Sequence, residues 1–96
     1  MPKKDTLERA RKDRDEGKAP STQAGEFVRE EMEKLEAGDP DVKSRKQAIA
    51  IGLSKARRAG IDLPPPERGE APEATRKKAE RDHEKGQEEG PLAEDE

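Results

Sequence analysis

The chain has no cysteine, tryptophan or tyrosine, and Phe27 is its single aromatic residue. Without cysteine there is no disulfide framework, no thiolate metal site and no thiol nucleophile. Without further aromatic side chains there is no platform on which the bases of a single-stranded nucleic acid can stack. Long hydrophobic runs are missing too. No window approaches the roughly 18 apolar residues of a membrane span. The opening MPKKDTLERARKDRDEG has none of the apolar core of a secretory signal. A cytoplasmic protein without membrane contact is expected.

Large apolar residues are scarce. Leu, Ile, Val and Phe account for 11 of 96 residues, whereas 47% of the chain is charged. Such a composition buries too little apolar surface to offset the entropy of ordering the whole chain. It predicts disorder over most of the length. Catalytic chemistry finds no foothold. His83 is the only histidine and sits in a charged stretch, and Ser21, Ser44 and Ser54 have no base at a suggestive spacing. Carboxylates tuned for acid–base work need burial that this composition does not promise. No glycine-rich phosphate loop follows a strand. The sequence offers no catalytic residue, no metal ligand set and no cofactor motif, and no small-molecule substrate is expected.

What is present is charge arranged in blocks. The net charge of −3 conceals seven acids against two bases in residues 26–41, six bases and no acid in 43–61, and twelve acids against six bases in 62–96. Block contrast of this kind, more than the bulk isoelectric point, governs which partners a surface attracts.

Two segments carry helical periodicity with start and stop signals. In residues 22–37, Ala24, Phe27, Val28, Met32 and Leu35 fall on one stripe, with Glu26, Arg29, Glu30, Glu33 and Glu36 away from it. Ser21 or Thr22 can cap its start and Gly38 can end it. In residues 44–59, Ser44 and Gln47 have the spacing of a capping box, Gly60 suits a left-handed helix end and Pro64 blocks continuation. Val42, Ile49, Gly52, Leu53 and Ala56 share a face there. Ile51 lies nearly opposite, either as a solitary exposed residue or as an apolar contact for a partner.

The expected fold is therefore all-α: a short two-helix hairpin, about 22–37 and 44–59, within a unit spanning 22–62. Its core is drawn from Phe27, Val28, Met32, Leu35, Ile49 and Leu53. A disordered charged arm (1–21) precedes it and a disordered Pro/Glu/Lys-rich tail (63–96) follows, with only transient helix in Thr6–Glu16 and Ala74–Lys85. A unit of about 40 residues without disulfide or metal needs a partner or weak self-association to hold it.

Lys43, Lys46, Lys55, Arg57 and Arg58 spread over the outer half of the second helix. They suit docking to an acidic partner, either nucleic-acid phosphates or an acidic protein. The competing reading has them solvated, or neutralised by the acidic helix and tail of the same chain. A different class of function, a hydrophilic and largely disordered stress or solvating protein with no specific partner, suits the tail composition better than the capped segments.

The run Arg45-Lys46-Gln47-Ala48-Ile49-Ala50-Ile51, with Leu53-Ser54 and Ala56-Arg57, resembles a motif of small lysine-rich bacterial proteins of unknown function. In these the motif helix follows a short helix with a phenylalanine or similar anchor, a place taken here by Glu26 to Glu36. The resemblance spans about 40 residues. It implies a helical unit but no activity and no functional residue.

Overall fold

A computed structural model, describing residues 3–93, contains four helices: α1 (Lys4–Asp15), α2 (Pro20–Glu36), α3 (Arg45–Ala59) and α4 (Glu73–Glu89). Pro20 begins α2 at its first turn, where the missing N–H has no intrahelical partner to lose. Ser44 caps α3: its Oγ accepts from the Gln47 N–H at 3.1 Å, while Gln47 Oε1 accepts from the Lys43 N–H at 2.6 Å. The same helix closes on Gly60 at φ +111°, a conformation that side chains disfavour. There the Ile61 N–H reaches Ala56 O (3.0 Å) and the Gly60 N–H reaches Arg57 O (3.1 Å), the Schellman pattern. The same double bond pattern closes α1 at Gly17 and α2 at Gly38.

The helices pack in series, α1 on α2, α2 on α3 and α3 on α4. The α3–α4 pair runs in one direction, because Ser54 meets Asp82, Arg57 faces Gly86 and Ala59 faces Gly90. An extended crossover through Pro64–Pro66 makes that possible. Arg57 holds it in place, donating from Nε to Leu63 O (3.1 Å) and from Nη2 to Pro64 O (3.0 Å). After α4 the chain returns to the core: the Leu92 N–H donates to Ala59 O (2.7 Å), and Arg14 of α1 donates to Leu92 O (2.7 Å). Leu92 and Ile61 are buried beside Phe27, Ala10, Ala24, Ala56 and Ala59.

The expected hairpin between disordered arms is overturned. Most of the N-terminal arm forms α1, and the tail forms the crossover, α4 and the Leu92 plug. Residues 1–2 and 94–96 of those arms lie outside the described residues. The radius of gyration is 13.0 Å, the size of a folded domain of about 100 residues and far from the roughly 30 Å of an unfolded one. The expectation of intrinsic disorder falls with the same observation.

The physical reason is the packing unit. Scarcity of large apolar residues counts heavily only where large side chains must fill the space between helices. Here alanine and glycine let backbones approach. A Cβ on Gly52 would lie 2.6 Å from Val28 Cα and 2.8 Å from Val28 N, so α3 rests on the α2 main chain. A Cβ on Gly86 would collide with the Arg57 carbonyl, so α4 rests on α3 in the same way. Of the expected core, Phe27 is fully buried, Val28, Met32, Leu35 and Leu53 are half-buried, and Ile49 is 38% exposed. Ala48, Gly52, Ala56 and Ala59 face the interior in its place.

Two glycines separate these effects. Gly25 lies within α2 with nothing within 4 Å of an added Cβ, so Gly25→Ala should stabilise by about 0.5–1 kcal/mol through helix propensity. Gly52→Ala should destabilise by about 1–3 kcal/mol through overpacking against backbone. Urea unfolding of the two variants should shift the midpoint in opposite directions.

Candidate functional site

Close approach at Gly86 and Gly90 joins the C-terminal halves of α3 and α4, while their N-terminal halves carry side chains and stand apart. The result is an open groove of about 710 Å³. Its apolar surface comes from Ile49, Ala50, Ile51 and Leu53 of α3, Ala79 of α4 and Pro66 of the crossover. Its charged lining is Lys46, Lys55, Arg57, Arg58 and Lys78 against one acid, Asp82. Ile49 is the exposed large hydrophobic residue among those described.

Asp82 organises one wall. It is 4% exposed, and its Oδ2 accepts from Ser54 Oγ (2.7 Å) and Lys78 Nζ (2.7 Å). Its Oδ1 pairs with Arg58 Nε at 3.0 Å, and Lys78 Nζ also donates to Ser54 Oγ at 2.9 Å. Burial pushes the Asp82 carboxyl up, but the hydrogen bonds from Lys78 and Ser54 and the charges of Lys78 and Arg58 together hold it below its ordinary value. An ionised, fully engaged carboxylate is a poor proton acceptor, so Ser54 is oriented but not activated.

A second buried cluster lies between α1, α2 and α3. Glu30 and Glu31 are each 1% exposed. Glu31 Oε2 accepts from Lys55 Nζ at 2.8 Å and from Lys34 Nζ at 3.4 Å. Glu30 Oε1 accepts from the Lys3 N–H at 3.0 Å at the start of α1, where the helix dipole favours an anion. Its Oε2 makes no hydrogen bond, with Lys34 Nζ as an ion-pair partner 3.5 Å away. Burial again raises this carboxyl, and the hydrogen bonds from Thr6 and Lys3 with the charges of Lys34 and Lys55 bring it below its ordinary value.

These clusters sort the five expected contact residues. Arg57 is buried and occupied with the crossover carbonyls. Burial lowers its pKa and the Asp82 charge opposes this, but a guanidinium keeps its charge. Lys55 pairs with Glu31 and Arg58 with Asp82. Lys43 and Lys46 are exposed, as is neighbouring Arg45, and no ion pair reaches these three among the described residues. The sequence reading placed no weight on Asp82, Lys78 or Ala79. Their signal was legible all the same: Ala79, Asp82 and Gly86 recur at helical spacing, and Lys78 stands four residues before Asp82. Glu30 and Glu31 carried no such signal, since only the packing of α1 and α3 covers them.

Among the described residues no group of three or more His, Cys, Asp or Glu side chains is placed to hold a metal ion. His83 lies away from the groove, with Nε2 2.7 Å from Asp62 Oδ1. No described helix is long and apolar enough to cross a membrane.

The buried carboxylates set a pH dependence. Glu30 has a lower pKa folded than unfolded, so its contribution is fully present above about 4.5 and is lost as pH falls through the depressed value. Asp82 acts in the same sense from its ordinary value near 3.8 downward. The urea midpoint should therefore hold above about pH 4.5 and fall progressively below it. Glu30→Gln should cost about 1–3 kcal/mol at neutral pH and make that drop shallower.

No curated protein and no solved structure matches the chain. One family model does, over residues 20–67. The matched half runs from the first residue of α2 through α3 and the tri-proline crossover, so it includes the α3 wall of the groove and leaves α1 and α4 outside. By that match the chain belongs to DUF6496, a family of unknown function.

Proposed function

We propose that the protein is a non-enzymatic interaction module of the bacterial cytoplasm that binds an acidic protein through the basic face of α3. The observation that carries this reading is the exposed trio Lys43, Arg45 and Lys46 at the start of that helix, unmatched by any ion pair among the described residues. Cations at a helix N-terminus oppose the macrodipole, and the first turn of α3 contains no acid to offset them. They do not stabilise the helix end, which favours their use in binding over a role in holding α3 together.

Nucleic acid is the weaker partner. Phosphate binding draws on many unengaged cations. Lys55 and Arg57 already serve acceptors within the chain, and Arg58 gives its Nε to Asp82. The groove beside the trio is lined with apolar side chains, from which a phosphate backbone gains nothing.

The 96-residue chain should bind poly-L-glutamate with an affinity that falls as salt rises, and the Lys43→Ala/Arg45→Ala/Lys46→Ala variant should bind roughly three- to thirtyfold more weakly with unchanged circular dichroism. Duplex DNA should not bind at about 0.15 M salt. DNA binding with a steep salt slope, and none to poly-L-glutamate, would transfer the reading to nucleic acid.

A further inference from the structure

We infer that the α3–α4 groove receives an amphipathic α-helix of a partner protein, with its apolar stripe against Ile49, Ile51 and Leu53 and its carboxylates on the flanking bases. This rests on the reading of an acidic protein partner and adds where that partner sits and in what conformation.

Shape favours a helix. The α3 wall of the groove extends from Lys46 to Arg58, about 18 Å of helix axis at 1.5 Å per residue. A docking helix that anchors through residues i, i+3 or i+4, and i+7 needs about 10 Å of that length. The groove is open to solvent, so it suits a rod better than an enclosed small molecule.

Charge decides the sign of the occupant. Of the five bases lining the groove, Lys55 and Arg57 are engaged within the chain, which leaves Lys46, Arg58 and Lys78 facing one acid, Asp82, on a chain whose net charge is −3. Asp82 does not exhaust its two cations. Arg58 uses Nε for Asp82 and its side chain is 63% exposed, which leaves the outer N–H groups of the guanidinium for a second carboxylate. Lys78 gives two donors to Ser54 and Asp82 and keeps a third. Because Asp82 and Ser54 already fix both side chains, a ligand pays little further entropy for ordering them.

The occupant is not a second copy of this chain. Ile49 is the exposed large hydrophobic residue among those described, so no described helix offers an outward apolar stripe to lay in the groove. Two grooves placed face to face would bring their bases together.

The test uses the full chain and two labelled peptides of about 20 residues. One has leucines at i, i+4 and i+7 with glutamates elsewhere; the other has the same composition with the leucines scattered. Fluorescence anisotropy should show the patterned peptide binding at least about tenfold more tightly, and Ile49→Glu should remove that advantage. Ile49 is exposed, so this variant should keep its circular dichroism, and Ile49→Ala supplies a milder second reading in the same direction. Equal binding of both peptides overturns the groove while the acidic-partner reading stands. No binding of either peptide, or of poly-L-glutamate, overturns both. A concentration-dependent dimer in sedimentation, abolished by Ile49→Glu, makes the groove a self-interface and overturns the inference.

Discussion

Backbone contact between helices is the constraint on which this structure depends. α3 touches the α2 main chain at Gly52 and receives the α4 main chain at its Arg57 carbonyl, opposite Gly86. At such distances each helix buries its neighbour with alanines, and few large side chains are needed. Phe27, Ile61 and Leu92 complete the core beside Ala10, Ala24, Ala56 and Ala59. Twelve of the 96 residues are alanine, slightly more than all the Leu, Ile, Val and Phe together. Dense contact of small groups retains the dispersion energy that voids would forfeit.

The same closeness explains how a chain so rich in charge buries acids. Glu30, Glu31 and Asp82 lie beneath helices, and each meets cations or hydrogen-bond donors from a neighbouring element. A buried carboxylate left alone would be strongly unfavourable. Paired in this way, each acid ties two or more segments together: Glu30 links α1 to α2, Glu31 links α2 to α3 and Asp82 links α3 to α4. The Glu31–Lys55 and Asp82–Arg58 links join the acidic blocks of the sequence to its basic block. Among the described residues Lys43, Arg45 and Lys46 have no such partner, and Arg58 keeps its outer N–H groups, so these parts of the basic block remain open to another molecule.

The groove follows from the glycine positions as well. Gly86 and Gly90 bring α4 onto the end of α3, while Thr75, Lys78 and Ala79 hold it off near the beginning. Ile49 and Ile51, which contribute little to the interior, line the opening. Arg57 fixes the crossover that carries Pro66 to its rim. A residue expected to face a partner thus shapes the site from behind it.

The sequence by itself determined the ends of α3. Ser44, Gln47 and Gly60 act through hydrogen bonds between residues close in the chain, so their roles can be read without knowing what surrounds them. It also determined the all-helical class and the single sign of charge along that helix. Tertiary structure alone decided that α1 and α4 are ordered, that Ile49 faces outward, and which bases are spent. Each of those outcomes depends on a backbone or a carboxylate from a distant segment: Val28 against Gly52, Arg57 against Gly86, Glu31 against Lys55. Apolar periodicity weighs side chains by size, whereas close helix contact rewards their absence, and that is why composition predicts disorder for the segments that form α1 and α4.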